Sequence, residues 1–420
     1  MQTFKTTPSV DTYRKIACRY CNTKLPDTFL DLGTMALANS FIAPNQKGTK
    51  EFACPLSLAW CEICKLVQLS YVVPPEKMFS NYLYVSSTTK TFQDHFFNYA
   101  KTVKTRLDSK DLLAVDIGSN DGLLLSCYQK VGMRAVGVDP AKNLSDDANQ
   151  RGLPTINRFF DSACVKEIID TYGKADVVSA NNVFAHIDDV KSVCQNVFKL
   201  LNEEGLFVIE FPYLVAMFED MFFDMIYHEH LSYISITALN YLMKSQGFKI
   251  VAIEKVTSHG GSLRVFLTKV SSKRDISQEV GSFLEDEEQK GYLKSAVYQE
   301  FAKQVENVKM SLNQFVQKIT SEGKTISGYG APAKASTLIN YCGFNSSHIK
   351  FIIDDNPLKQ NTFSPGANIR IVPSLYLNEH PTDYVMIFAW NFANEIMKKI
   401  EHLRERGVKF LIPLPHPKIV

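Results

Sequence analysis

Tyr227, His228, Glu229 and His230 place a phenol, two imidazoles and a carboxylate on one tetrapeptide. Burying three ionisable groups together is costly unless they are paired or used, so the cluster reads as a general base with hydrogen-bond donors around it. A metal site built from the two histidines and the glutamate is the weaker reading, because no further ligand stands nearby in sequence. Metal chemistry is better placed elsewhere. Cys18 and Cys21 form one C-x-x-C pair, and Cys61 and Cys64 form another. Together they supply the four thiolates of a closed tetrahedral zinc site. The 22–60 stretch between the pairs is longer than in common zinc fingers, and the alternative is four buried thiols without a metal. Four thiolates leave no open position for substrate, so this zinc is structural and supplies folding free energy to a module with a small core. Cys54, which has no paired neighbour, reads as a small hydrophobe of the same core.

Two glycine turns are suited to nucleotide-type ligands. The first, DIGSNDG, spans Asp116 to Gly122 between an apolar run and a helical one. Gly118 and Gly122 let backbone approach a ligand; Ser119, Asn120 and Asp121 fill the middle of the turn. Asp139, followed by Pro140, ends the next strand roughly 20 residues on, where an acidic residue accepts from ribose hydroxyls. The turn departs from G-x-G-x-x-G, the dehydrogenase pattern. Its acidic and amide groups suit S-adenosylmethionine, a sulfonium without pyrophosphate, better than a dinucleotide. Asn181 and Asn182 end a later strand and would face the same ligand. The second turn lies in SGYGAPAKASTLINY, with Gly328 and Gly330 before a helix whose amino terminus can hold an anion. Lys334, Ser336 and Thr337 add donors for a diphosphate, and Asp354 follows the next strand, where a ribose or base is recognised. A purely architectural role for this unit is the alternative.

These groups need a layered α/β frame. LLAVDIG, MRAVGVDP, ADVVSANN and GLFVIEF are buried-strand runs, each followed by a helical segment, the signature of a parallel sheet with right-handed crossovers. Phe96, Phe97, Ala100 and Val103 recur at helical spacing just before them. A charged amphipathic helical stretch follows, and after Gly323 the β–α alternation restarts. The expected division is 1–78, 79–272 and 273–420. The chain has 420 residues, 45% hydrophobic and 21% charged, with a formal net charge of +2. That balance gives no electrostatic case for nucleic acid or an anionic membrane. The longest apolar run, Gly205 to Tyr227, is broken by Glu210, Pro212, Glu219, Asp220 and Asp224 and is no membrane span. Five of the nine cysteines crowd into the first 64 residues behind an amino terminus without an export signal, which indicates a reducing cytoplasm.

The two cysteine pairs, DIGSNDG, GVDPA, ANNVFAHIDD, EFPYL…FDMIYHEHLSYIS, HGGSLRVF and GYGAPAKASTLINY follow one another along nearly the whole chain. In that order they resemble the S-adenosylmethionine-dependent C-methyltransferases that act on nucleotide-linked ketosugars. The resemblance implies a Rossmann-like class I methyltransferase domain, flanked by a small four-cysteine zinc domain and a carboxy-terminal Rossmann-like α/β domain that helps hold the nucleotide sugar. In that family a histidine removes the proton beside a ketone, and the carbanion equivalent attacks the cofactor's methyl group. Carried over by motif, His230 is the base, Tyr227 and Glu229 shape the site, and His186 donates to the keto oxygen or a neighbouring hydroxyl. His228 is a structural neighbour. Tyr82 and Tyr84 match the family's linker and would close over the site, with core aromatics as the equal alternative. His259, Gly260, Gly261 and Arg264 would meet a phosphate or sugar oxygen, the alternative being a tight turn with a surface arginine.

The expected reaction is methylation at C-3 of a nucleotide diphosphate 4-ketohexose by a monomer. Methylation at C-5 would use the same motifs. A zinc-ribbon RNA methyltransferase is the reading from another class, against which stand the near-neutral charge and the lack of a basic, aromatic-lined stripe. A non-catalytic scaffold is a third, opposed by the intact YHEH loop.

Overall fold

The computed structural model describes residues 10–79, 90–257 and 260–420. Its largest sheet has seven strands: Leu113–Ile117, Arg134–Val138, Thr155–Ile156, Ala175–Asn181, Leu201–Pro212, Phe248–Val256 and Ser262–Lys269. They lie side by side in the order third, second, first, fourth, fifth, seventh, sixth. The first five run parallel, and the last two are antiparallel additions at one edge. Every residue of Leu113–Ile117 is buried, as expected of a strand covered on both faces. Phe96, Tyr99 and Val103 of the helix Lys90–Thr105 pack with Leu124 and Tyr128 on one face. Ile168, Val193, Val197 and Leu239 from three other helices cover the opposite face. Strand order reverses between the first and fourth strands, which opens a crevice at their carboxyl ends.

The amino-terminal sheet contains Leu30–Ala36, Ala53–Trp60 and Val67–Leu69, all antiparallel. Its fourth strand comes from far along the chain: Ser232–Tyr233, directly after the YHEH loop, pairs with Gln68 and Val67. The carboxy-terminal sheet has five parallel strands, in the spatial order Ile371–Val372, Ile352–Ile353, Ile326–Tyr329, Tyr384–Ile387 and Lys409–Ile412. An antiparallel strand, Lys418–Ile419, closes the far edge. Gly330 and Ala389 therefore sit together where this second sheet reverses its order. Among the described residues, no helix is long and apolar enough to cross a membrane.

The charged stretch folds as two helices, Gln278–Gln289 and Ser295–Ser321, separated by Gly291 at φ 85°. It is not wholly a solvated bridge. Glu287 is fully buried and accepts from the Tyr213 hydroxyl at 2.8 Å and from the backbone N–H groups of Ile236 and Thr237 at 2.6 and 2.8 Å. It thus satisfies the free donors that open the helix Ile236–Ser245. Glu287→Ala should cost about 2–3 kcal/mol in urea unfolding, because three buried donors lose a charged acceptor. A change below about 0.5 kcal/mol, the range of an ordinary surface substitution, would refute that role.

Candidate active site

Each cysteine pair is shaped by the same turn. Asn22 N–H donates to the Cys18 carbonyl and Lys65 N–H to the Cys61 carbonyl, both at 2.8 Å, with φ of 63° and 64° at Asn22 and Lys65. The four sulfurs lie within 4.8 Å of one another, and the closest pairs, Cys18–Cys64 and Cys21–Cys61, are 3.4 Å apart. A tetrahedral zinc with Zn–S bonds near 2.3 Å sets its sulfurs about 3.8 Å apart, so the cluster fits the ion. Cys54 lies away from it among Tyr13, Leu37 and Val73, where burial pushes its thiol up to about 11.

A cavity of about 1450 Å³ opens at the carboxyl ends of the central strands and reaches residues of all three sheets' segments. Gly118, Asn120, Asp139, Pro140, Asn181 and Asn182 line one end. Asp139 is buried, and its two carboxylate oxygens accept from Asn120 N–H and Ala141 N–H at 2.8 Å each. The side-chain oxygen and nitrogen of Asn181 and the side-chain oxygen of Asn182 are buried without partners among the described residues. Orphaned amide atoms beside an acidic residue and a glycine turn fit the polar groups of S-adenosylmethionine.

The rest of that turn serves the fold. Asp116 lies beneath it, accepting from the Ser179 hydroxyl at 2.6 Å, and burial pushes its carboxyl up to about 7. Ser119 tucks against Gly137, where a Cβ would sit 2.3 Å from its Oγ. Asp121 is buried beside Arg151. Gly122 has a left-handed φ of 78°, and a Cβ there would meet Leu153 at 2.8 Å. None of these four lines the cavity. A tight turn shows only its crest to the cavity, which is why the expected cofactor contacts at these four are not seen there.

His186, Tyr227 and His230 line the cavity together. His230 stacks on His186 with ring centroids 5.1 Å apart and on Tyr227 at 3.9 Å. Its Nδ1 lies 2.8 Å from the Met225 carbonyl, which can only accept. That bond places the proton on Nδ1 and makes Nε2 the basic nitrogen of the neutral ring. The loop is clamped on both sides by Leu231, whose N–H donates to the Ala185 carbonyl and whose carbonyl accepts from Leu69 N–H. His228 points away, bonded to the Cys54 carbonyl at 3.0 Å, and burial lowers its pKa to about 4, so it stays neutral. Glu229 does not line the cavity; it accepts from the Asn39 side-chain amide at 2.6 Å, and Asn39 does.

On the carboxy-terminal side Lys334 faces the cavity, its Nζ 2.6 Å from the Asn391 oxygen and 3.5 Å above the Trp390 ring. Burial lowers its pKa to about 8, a shift the nearby Asp224 opposes. Trp390 stacks on Phe222 at 3.9 Å and donates to Asp224 at 2.7 Å, which locks this side to the central domain. The other donors expected around the second glycine turn are used as sutures. Ser336 and Thr337 donate to the carbonyls of Ala38 and Ile226, and Asp354 accepts from the N–H groups of Ala331 and Asn356. Gly328 and Gly330 pack against Phe388 and Ala389. Arg264 is no surface arginine and does not line the cavity: it is buried against Glu210 at 2.9 Å. Gly260 and Gly261 fit under Phe222, Trp390 and Ala216. Tyr82, Tyr84 and His259 lie outside the described residues. Among the lining residues that escaped the sequence reading are Asn39, His95 and Lys359. None carries a local signal, since each is brought in by tertiary packing.

A 3-2-1-4-5-7-6 sheet, with a glycine turn after its first strand and a buried aspartate after its second, defines a class I S-adenosylmethionine-dependent methyltransferase. Three family models match in succession: "Putative zinc binding domain" over 18–79, "Methyltransferase domain" over 95–253 and "C-methyltransferase C-terminal domain" over 257–415. The C-methyltransferase NovU of Streptomyces niveus is 35% identical over 407 residues, which is 96% of either chain. The chain therefore belongs to the S-adenosylmethionine-dependent C-methyltransferase family, with S-adenosylmethionine as its cofactor and zinc in its four-cysteine cluster. Among solved structures, magnesium protoporphyrin IX methyltransferase from Synechocystis PCC 6803 is 13% identical, covering 42% of this chain and 79% of that one, with a TM-score of 0.32. A methyltransferase from Clostridium acetobutylicum is 14% identical, covering 44% and 93%, with a TM-score of 0.34.

Proposed function

We propose that the enzyme methylates a ring carbon, C-3, of a nucleotide diphosphate 4-ketohexose, with His230 as the base. The observation that carries this reading is the His230 imidazole, tautomerically fixed by the Met225 carbonyl and stacked on His186 in the same cavity as the cofactor turn. Carbon bears no lone pair to be methylated directly, so a base and an adjacent carbonyl are needed. His230 Nε2 takes the proton beside the ketone, and the electron pair moves toward the keto oxygen. His186, stacked on His230, then donates to the developing oxyanion. S-adenosylmethionine, when bound, supplies an electrophilic methyl group. Glu229 acts through Asn39, as a positioning residue.

The size of the cavity supports a second large ligand. About 1450 Å³ exceeds the roughly 300–1,000 Å³ of a site for one small molecule. Lys334, which is buried, and Lys359, which is half-buried, both line the cavity and supply cations for a diphosphate on the side away from the cofactor turn. The test is a panel of nucleotide diphosphate sugars with S-adenosylhomocysteine. A 4-ketohexose at about 100 times its Kd should add roughly 2.7 kcal/mol and raise Tm by a few degrees. Carbon-13 from labelled cofactor should then appear at C-3. Protection by no ketosugar, or label on nitrogen or oxygen, would refute the reading; label at C-5 would move the position alone.

A further inference from the structure

The helix Ala333–Cys342 follows the strand Ile326–Tyr329 of the carboxy-terminal sheet, yet it grips the loop that carries the base. Its two neighbouring hydroxyls, on Ser336 and Thr337, are buried, and each donates to a backbone carbonyl far away in the chain. Both carbonyls adjoin residues that hold the YHEH loop. Ser336 donates at 2.9 Å to Ala38, the residue before Asn39, whose amide holds Glu229. Thr337 donates at 2.7 Å to Ile226, the residue after Met225, whose carbonyl holds His230 Nδ1. One turn earlier on the same helix, Lys334 faces the cavity.

Met225 ends a single 3-10 turn, Phe223–Met225, a form whose hydrogen bonds are poorer in geometry than those of an α-helix. Ile226 leaves the turn extended, at φ −86° and ψ 112°. Its N–H donates to the Phe223 carbonyl at 3.0 Å, which fixes the planar peptide unit that carries the Met225 carbonyl. The next unit carries the Ile226 carbonyl, and Thr337 fixes that one. With both units held, the direction from which Met225 meets the imidazole is set. Without the hydroxyl a buried carbonyl loses a donor, and the loop shifts to recover one. We propose that Thr337 is a positioning residue for the base, aligning His230 through Ile226 and Met225. It does not itself line the cavity. This role rests on the reading of His230 as the base.

Thr337→Val keeps the shape of the side chain and removes the hydroxyl. In the full, zinc-loaded chain its kcat should fall about ten- to hundredfold, the range for a reacting group displaced by up to about 1 Å. KM for the nucleotide sugar and affinity for S-adenosylhomocysteine should stay within about twofold, since no contact to either ligand is removed. Thr337→Ser should return most of the loss, and Thr337→Ala, which adds no bulk beside the carbonyl, should behave as the valine variant does. In a His230→Ala background either loss variant should change the residual methyl transfer by less than about twofold, because a residue that acts through His230 has nothing left to act on. Equal losses in the two backgrounds, or a kcat within about twofold of wild type, would overturn the role of Thr337. Solvent deuterium separates that result from a failure of the reading beneath it. A wild-type chain that exchanges no proton beside the ketone would bring down His230 and Thr337 together; exchange as fast in Thr337→Val as in wild type would bring down Thr337 alone.

Discussion

His230→Ala should lower methyl transfer by about 10²–10⁴-fold, the contribution of one positioned base. Solvent deuterium should no longer enter the carbon beside the ketone. Cofactor affinity should hold, because Gly118, Asn120, Asp139 and Asn181 form the other end of the cavity. The exchange reading separates two roles that turnover alone confuses. A histidine that merely donated to the oxyanion would also slow turnover, and so would one that merely packed under Tyr227. Only the loss of exchange identifies the group that accepts the proton. Undiminished exchange in the variant would rule His230 out as the base.

Removing zinc should stop the reaction although no metal stands near the reacting atoms. The four-cysteine cluster ties the turn that precedes the amino-terminal sheet to the turn between its second and third strands, and that sheet holds the YHEH loop twice. It pairs Val67 and Gln68 with Tyr233 and Ser232, and it sends Asn39 to Glu229 and the Cys54 carbonyl to His228. A structural zinc is worth about 10–16 kcal/mol of folding free energy in small modules, so the metal-free segment should open. A loop displaced by about 1 Å costs on the order of 10²-fold in rate. Chelation, or Cys61→Ser, should therefore abolish turnover and expose residues 10–79 to protease while S-adenosylhomocysteine still binds. Full activity in protein shown by metal analysis to be zinc-free would refute the coupling.

What could be read from the chain was what neighbours in sequence decide. A strand, a glycine turn and a helix are local, so both turns stood out, as did the cysteine pairs. Which face of such a turn meets the ligand is not local. Gly122 has the left-handed φ expected of its turn, at 78°, yet it faces Leu153 and not the cavity. Arg264 looked like a ligand because its partner, Glu210, lies 54 residues away on an adjacent strand. Ser336 and Thr337 suited a diphosphate by type, but the docking of the Ala38 and Ile226 backbones onto their helix consumes both hydroxyls. Asn39 and His95 were invisible for the converse reason: an ordinary residue becomes part of a site when distant segments bring it there.

The borrowed fourth strand also bears on how the protein is made. Synthesis delivers the amino-terminal module first, yet the Asn39–Glu229 bond spans 190 residues. Until Ser232 and Tyr233 leave the ribosome, the strand Val67–Leu69 has an open edge, the kind of surface on which chains aggregate. Exchanging this module between relatives would carry the same demand. A graft that leaves the loop behind would mismatch the seam on which the active site is hung, so module and loop must be inherited as one part.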